Sequence, residues 1–333
     1  MPQPLPTRGA RGDELEELAH AVRRELLGRG EAPPPGWVDE VTRDLQSGRM
    51  HGWYYAAGGG LAFGSVRGDR AFGHVHVAAG DEDVARAESL LRCLQEELPP
   101  TAQSLDVGFT GLTPERERSL ADRLRGGEGV TLLAREAMER AIEPSDAEPV
   151  ESIPPGIHLR PIRAIPREAL TELDYRAFEG TIDANLIGSE RAEYRRMMDE
   201  LIEGRLGRFL EEASTALVGA ETEELVGAIL TSEQTPQLAV YLDIMVAPGH
   251  RREGLGRYLV RWGFRALWAL GYPKVRLWVT ESNASARALY RSVGFTPVGT
   301  ALIYRFYRGR PAGALHRPGA GTPRGPAPPS GRG

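Results

Sequence analysis

The two halves of this chain are predicted to contain helices and strands in the same order, and this repeat limits the folds that the chain can adopt. Hydrophobic periodicity predicts the order βααβββαβαβ across residues 157–308, and residues 13–142 follow the same order more faintly. Strands that alternate with helices are typical of a sheet covered by helices. We therefore predict an α/β fold, a mixed sheet flanked by helices, built as two tandem domains related by duplication.

Composition sets the limits of these domains. The 333 residues are enough for two globular units. Segments rich in proline, glycine and charged residues, which disfavour regular structure, occupy 1–12, 143–156 and 309–333. We expect disordered ends at 1–12 and 309–333, a linker at 143–156, and domains at 13–142 and 157–308.

Several classes of protein are excluded. No apolar run approaches the roughly 18 residues of a membrane span, and the first residues lack the apolar segment of a signal peptide. We therefore expect a cytoplasmic protein without a membrane or nucleic-acid partner. The single cysteine, Cys93, is expected to be a helix core residue, and the seven histidines lack the spacing of metal ligands. No metal is expected, and the sequence leaves the oligomeric state open.

The segment VAPGHRREGLGRYLV, residues 246–260, predicts an anion-binding turn that opens a helix. The first N–H groups of a helix lack intrahelical partners and carry about half a positive charge. Gly254 and Gly256 let the backbone approach a phosphate closely. Three arginines, Arg251, Arg252 and Arg257, add positive charge at the same end. A P-loop would need Gly-Lys-Ser/Thr and a dinucleotide fingerprint a third glycine, so neither motif fits.

Two motifs resemble those of the GCN5-related N-acetyltransferase (GNAT) superfamily. The pattern V-x-P-x-x-R-x-x-G-L-G-x-x-L spans 246–259 and is similar to the acyl-CoA-binding motif of the family, and N-x-x-A-x-x-L-Y-x-x-x-G-F follows at 283–295. The resemblance covers 157–307, whereas 13–136 shares only the element order and lacks the glycine-rich turn. It implies two tandem GNAT-like domains, of which the N-terminal one is degenerate and binds no coenzyme A.

The resemblance also implies acetyl-CoA as the cosubstrate and a set of residues that bind it. The pyrophosphate would lie on the N–H groups between Arg252 and Arg257, and pantetheine would extend along the strand at 244–246. Asn283 would bind the pantetheine arm or cap its helix. The complete set of implied cofactor-binding residues is Ile244, Met245, Val246, Arg251, Arg252, Glu253, Gly254, Leu255, Gly256, Arg257, Asn283 and Ala286.

The same resemblance implies two catalytic roles. Tyr290 would donate a proton to the departing thiolate of coenzyme A. The base that accepts the proton of the amine would be Asp243, with Tyr241, Glu281 or a water chain as alternatives. Alternation along a strand places Asp243 and Tyr241 on one face and Ile244 on the other.

The predicted function is an acyl-CoA-dependent N-acyltransferase that moves an acetyl group directly to a primary amine of a small molecule or a peptide N-terminus. The tandem arrangement is similar to the mycothiol synthases, which acetylate a cysteinyl pseudo-disaccharide, and residues 277–307 also resemble enzymes that acetylate protein N-termini. Glu179, Asp183 and Glu233 lie in candidate acceptor loops, where solvated surface is the simpler expectation. The alternative function is a non-catalytic acyl-CoA sensor or scaffold.

Overall fold

The computed structural model describes residues 3–307 except 9, 29–32, 34–35, 57, 68, 126–129, 151–152, 182 and 188–189. The predicted tail at 309–333 lies outside the described residues. The segment 1–12, for which we expected no regular structure, contains a two-residue strand, β1, at Leu5–Pro6. This strand forms because a neighbouring strand offers it a partner, and the Thr7 hydroxyl donates a further hydrogen bond to the Gly52 carbonyl at 3.2 Å.

The N-terminal half follows the predicted order of elements, which β1 completes. After β1 come α1 (Gly12–Gly28), α2 (Trp37–Ser47), β2 (His51–Tyr55), β3 (Gly60–Arg67), β4 (Arg70–Val77), α3 (Asp83–Glu97), β5 (Ser104–Thr110), α4 (Pro114–Arg125) and β6 (Val130–Ala141).

The C-terminal half has the same order with two short elements added, α6 and β8. It consists of β7 (Ile157–Pro161), α5 (Arg167–Phe178), α6 (Ala184–Ile187), α7 (Arg191–Ile202), β8 (Arg208–Phe209), β9 (Thr215–Gly219), β10 (Leu225–Thr235), β11 (Leu238–Val246), α8 (Leu255–Ala269), β12 (Lys274–Thr280), α9 (Ala284–Ser292) and β13 (Thr296–Tyr307). The predicted α/β fold with a mixed sheet is confirmed.

One continuous sheet joins the two halves by exchanging their last strands. The described strands follow the order β1-β2-β3-β4-β5-β13-β6-β12-β11-β10-β9-β7, with β8 beside β10. The last strand of the C-terminal half, β13, pairs with β5 of the N-terminal half, and β6 pairs with β12. The two exchanged strands also pair with each other along most of their length. Each half is therefore completed by the other.

Helices cover both faces of this sheet, as the apolar stripe of each helix requires. In the N-terminal half, α3 and α4 pack on one face and α1 and α2 on the other. In the C-terminal half, α8 packs on one face with α9 beside it, and α5 and α7 pack on the other. None of the described helices is both long and apolar enough to cross a membrane.

Buried charges fix the exchanged strands in place. Arg305 on β13 donates two hydrogen bonds to Asp106 on β5, from Nε at 2.6 Å and from Nη2 at 2.7 Å. Arg70 on β4 donates a third to the same carboxylate at 2.8 Å. On the other exchanged strand, Glu136 accepts hydrogen bonds from Nε and Nη2 of Arg287 on α9, at 3.0 and 3.2 Å. Strand β6 thus belongs by its contacts to the C-terminal core.

Candidate active site

The glycine-rich turn leaves several backbone N–H groups directed out of the end of α8. Arg252 and Gly254 both have positive φ, at 67° and 87°, and Gly254 caps the helix. The first intrahelical bond runs from the Tyr258 N–H to the Gly254 carbonyl at 3.0 Å. The N–H groups of Leu255, Gly256 and Arg257 precede that bond and have no helical acceptor. This end of the helix has the chemistry of an anion site.

The two glycines of the turn serve different needs. Gly254 has open space where a Cβ would stand, but its positive φ strains any residue with a side chain. Gly256 lies in the helix, and a Cβ there would stand 3.2 Å from Cδ2 of Leu289 on α9. The first glycine therefore shapes the turn, and the second lets α8 approach α9.

The arginines of the turn also divide by role. Arg251 donates a hydrogen bond to the carbonyl of Ala177, near the end of α5, and so ties the turn to the opposite face of the sheet. Arg252 and Arg257 are exposed beside the helix N-terminus. Glu253 lies 3.2 Å from the ring of His250, and Leu255 is buried in the core. Of the three arginines of the turn, Arg251 is thus tied to the fold, whereas Arg252 and Arg257 are exposed at the end of the helix.

A gap opens between β11 and β12 beside this turn. Their parallel pairing covers only 239–241 and 275–277, although β11 continues to Val246 and β12 to Thr280. On its other edge β11 stays paired, with Ile244, Met245 and Val246 opposite 227–229 of β10. The free edge of 243–246 can therefore accept an extended ligand as an added strand.

The corresponding gap in the N-terminal half is closed. Strands β4 and β5 pair in parallel without interruption from Arg70–Ser104 to His76–Thr110. The Thr110 hydroxyl lies 2.8 Å from Nε2 of His74 and 3.0 Å from Nδ1 of His76, so side chains also join the two strands at this end. No space remains here for a strand-like ligand.

The helix that follows β4, α3, has a side-chain carboxylate at its N-terminus. The Asp83 carboxylate accepts a hydrogen bond from the Val84 N–H at 2.7 Å and pairs with Arg116. A carboxylate at this position already occupies one N–H of the helix N-terminus, and Asp81 and Glu82 add further negative charge beside it. The N-terminal half is thus a degenerate copy of the fold.

A β-bulge corrects our expectation for the strand that carries Asp243. The register between β10 and β11 shifts at 241–243, so that Leu242 is the extra residue. Tyr241 and Ile244 both pack in the core under α8, whereas Asp243 lies on the α5 side against Asp174. The prediction that Asp243 and Tyr241 share a face is therefore wrong, because strict alternation fails at a bulge.

The carboxyl of Asp174, which is fully buried, lies beside that of Asp243, which is half-buried. Burial raises the pKa of both groups, and the neighbouring Asp243 raises that of Asp174 further. Tyr194 on α7 lies close to both carboxyls. Burial, and then the charge of Asp174, raise the pKa of the Tyr194 phenol. Sequence analysis missed Asp174, although it occupies a core position of α5, four residues after the buried Leu170.

Tyr290 lies beside this pair at the gap. Its ring packs edge-on against Phe295, with centroids 5.9 Å apart. Burial, and then the charges of Asp243 and Asp183, raise the pKa of its phenol above the usual value near 10. The phenol is therefore protonated at neutral pH and is available as an acid.

Asp183 joins the same centre, which contradicts the expectation of solvated loop surface for this residue. It accepts hydrogen bonds from the Thr280 hydroxyl and from Nδ2 of Asn283, the latter at 2.6 Å. Asn283 also caps α9 by accepting from the Ala286 N–H at 3.0 Å. Glu179 accepts instead from the Tyr175 hydroxyl at 2.8 Å.

Arg135 reaches this centre from the N-terminal half on the exchanged strand β6. It stands opposite Thr280, donates from Nη2 to the Trp278 carbonyl at 2.9 Å, and interacts electrostatically with Asp183, Tyr290 and Asp243. Burial lowers the pKa of its guanidinium. Beside it opens a cavity of about 240 Å³ lined from both halves, among others by His74, Gly108, Trp278 and Ile303.

The other candidates for chemistry lie elsewhere. The Tyr241 hydroxyl is buried and donates to the Val260 carbonyl at 3.3 Å, and burial raises the pKa of its phenol, so it is a core residue. Glu281 is exposed at the end of β12, and Glu233 accepts from Arg208 at 2.6 Å. Cys93 is half-buried on α3. Among the described residues, no cluster of three or more His, Cys, Asp or Glu could hold a metal ion.

Comparison with known proteins agrees with this geometry. The model of the acetyltransferase (GNAT) family matches residues 169–295. The mycothiol acetyltransferase of Thermobispora bispora is 33% identical over 209 residues, which are 61% of this chain and 68% of that protein. The mycothiol acetyltransferase of Streptomyces scabiei is 38% identical over 84 residues, 25% of this chain and 27% of that protein.

Solved structures share the fold over nearly the whole chain. A GCN5-related N-acetyltransferase from Sphaerobacter thermophilus has a TM-score of 0.61 at 18% identity and covers 90% of this chain and 94% of its own. A tandem GNAT protein from the clavulanic acid biosynthesis pathway has a TM-score of 0.57 at 15% identity, over 92% of this chain and 97% of its own. The tandem arrangement is therefore shared with a known protein.

Proposed function

Because the chain belongs to the acetyltransferase (GNAT) family, we propose that its C-terminal half binds acetyl-CoA at the α8 turn and transfers the acetyl group directly to a primary amine. One observation carries the proposal. The gap between β11 and β12 opens between a helix end with the chemistry of an anion site and two half-buried groups that could act as base and acid, Asp243 and Tyr290. The N-terminal half has neither the gap nor the turn and takes no cofactor.

The proposed cofactor site uses the turn and the free strand edge together. The pyrophosphate binds the N–H groups of Leu255, Gly256 and Arg257, with the side chains of Arg252 and Arg257 alongside. Pantetheine pairs with the backbone edge of 244–246. Asn283 is already engaged with Asp183 and the helix N-terminus, so capping and positioning, rather than pantetheine binding, describe its role.

The proposed reaction is a nucleophilic addition and elimination. The amine nitrogen attacks the thioester carbon while Asp243 accepts the proton of the amine. When the tetrahedral intermediate collapses, the C–S bond breaks and the sulfur receives a proton from Tyr290, which regains one from Asp243 or solvent. The thiol of coenzyme A has a pKa of about 8.5, judged from cysteine, which lies below the raised pKa of Tyr290, so this proton transfer is uphill and needs assistance from the site.

The acceptor is proposed to enter through the cavity beside Arg135. Relatives named mycothiol acetyltransferase favour an acceptor of the mycothiol class, for which the family resemblance implies the amine of a cysteinyl pseudo-disaccharide. Trp278 offers an aromatic wall and Arg135 hydrogen-bond donors to a polar acceptor. A peptide N-terminus is the competing acceptor.

Calorimetric titration with acetyl-CoA tests the cofactor site. We expect one site per wild-type chain, loss of binding in Gly254→Trp, and unchanged binding in the matched Gly80→Trp, which alters the corresponding turn of the N-terminal half. Two sites would overturn the assignment of that half, and no binding would overturn the proposal. Binding without acetylation of either amine class would instead support a sensor or scaffold.

A further inference from the structure

Asp174 is a buried acid for which the stability of the fold provides no reason. Its side chain is fully buried on α5, and neither carboxylate oxygen has a hydrogen-bond partner in the described part of the chain. No described arginine, lysine or histidine forms an ion pair with it. An unpaired carboxylate in a core destabilises a fold strongly, and an apolar or amide side chain of similar size would avoid that cost.

The contact with Asp243 gives Asp174 a partner once one proton is present. Two carboxylates contain only acceptors, whereas a protonated carboxyl can donate to its neighbour. Asp243 lies near the backbone N–H of Ile244 and in the field of Arg135, both of which favour its ionised form. Asp174 has no such support. The proton of the pair therefore resides on Asp174, and Asp243 is the carboxylate.

Groups on every neighbouring element contribute to the charge at this pair. They are Tyr194 on α7, Tyr290 on α9, Asp183 before α6 and Arg135 on β6. Arg135 is the one cation among these four groups. It interacts with the carboxylate of Asp183 as well as with that of Asp243. A hydrogen bond from Asp174 therefore adds to the support that Arg135 gives to ionised Asp243.

We propose that Asp174 is a positioning residue that remains protonated and donates a hydrogen bond to Asp243, which keeps the base ionised and correctly oriented. This inference rests on the proposed function, because it gives Asp174 its role through Asp243. The hydrogen bond occupies one lone pair of Asp243, and the remaining lone pairs can accept the proton of the amine.

Infrared spectroscopy of the full-length protein tests the location of the proton without an acceptor. At pH 7 we expect the C=O band of a protonated buried carboxyl in wild type and in Asp243→Asn, and its loss in Asp174→Asn. Glu172→Gln, an exposed acid on the same helix, is the matched control and should leave the band unchanged. Absence of the band from wild type, or its loss only in Asp243→Asn, would overturn the proposal whether or not acetyl-CoA binds.

The pH dependence of kcat/KM, with acetyl-CoA and cysteinamide as the amine, tests the positioning role. Asp174→Leu removes the donor and should move the acid limb about one to two pH units higher, a ten- to hundredfold loss below the limb. Asp174→Asn keeps a donor and should restore the limb. An unmoved limb in Asp174→Leu would refute positioning, whereas inactivity of wild type would concern the proposed function alone.

Stability separates this role from a structural one. Because the pKa of Asp174 is raised, folding takes up a proton above about pH 4, the unfolded value, so stability falls as pH rises. Asp174→Asn has no carboxyl to ionise at this position, so its stability should not fall in this way. Its free energy of unfolding should therefore rise relative to that of wild type between pH 5 and pH 8. If Asp174 instead stabilised the fold, Asp174→Asn would be less stable than wild type across the whole pH range.

Discussion

Asp106→Asn is expected to destabilise the whole protein through the exchanged strand β13. Asp106 is 9% exposed and accepts three hydrogen bonds, two from Arg305 and one from Arg70. Arg305 is itself 5% exposed and Arg70 9%. The amide keeps the shape of the carboxylate but removes its charge, so the buried guanidinium of Arg305 loses the anion that accepts its two hydrogen bonds.

The size of the effect follows from the cost of an orphaned buried charge. Removal of one partner from a buried ion pair typically costs about 3–5 kcal/mol. Domains are commonly stable by about 5–15 kcal/mol, so the variant should lose about a fifth or more of its stability. A loss of about 4 kcal/mol corresponds to a change of nearly a thousandfold in the unfolding equilibrium.

Urea denaturation followed by circular dichroism and by tryptophan fluorescence measures the loss. The midpoint should fall with both probes, since the exchange couples the two halves. Asp13→Asn is the control, because its partner Arg11 is 75% exposed at the side chain, and it should leave the midpoint unchanged. A loss below about 1 kcal/mol in Asp106→Asn would refute the reasoning, and recovery of stability in Asp106→Asn/Arg305→Met would support it.

Three further outcomes are expected. Tyr290→Phe should lower kcat about 10²- to 10⁴-fold while the calorimetric Kd for acetyl-CoA stays the same, and equal kcat would exclude Tyr290 as the acid. Arg135→Met removes a cation that lowers the pKa of Asp243, so the acid limb of kcat/KM should move to higher pH; a fixed limb would contradict that coupling. Burial lowers the pKa of His76 to about 4, so folding releases a proton between pH 4 and 6.5, and stability should fall by about 3 kcal/mol on acidification through that window. His76→Asn should show a flatter profile in thermal unfolding, and parallel profiles would count against this.

Local chemistry made the conformation of the α8 turn predictable. The turn at 246–260 needs positive φ, a helix start and a close approach to α9, and all three requirements fall on residues near one another in sequence. Tyr290 and Asn283 follow in a second short motif on one helix. The order of helices and strands was likewise predictable, because the hydrophobic period of each segment indicates whether it forms a helix or a strand.

The acceptor side depended on features that no short pattern contains. A bulge at Leu242 changed the face of Asp243, and hydrophobic alternation alone does not locate a single extra residue. Arg135 lies 108 residues before Asp243 in sequence and reaches it only because β6 pairs with β12. The sequence did contain a signal for Asp174, because an acidic residue occupies the apolar stripe of α5. An unpaired charge at such a buried position indicates a functional role.

The strand exchange gives the two halves the topology of a swapped dimer folded within one chain. The linker at 143–156 holds the exchanging partners at a high effective concentration, so closure inside one molecule competes well against pairing between molecules. Without the N-terminal half, β12 would present an open sheet edge and the C-terminal core would lack Glu136 and Arg135. The half whose strand gap is closed is in this way required by the half whose gap is open.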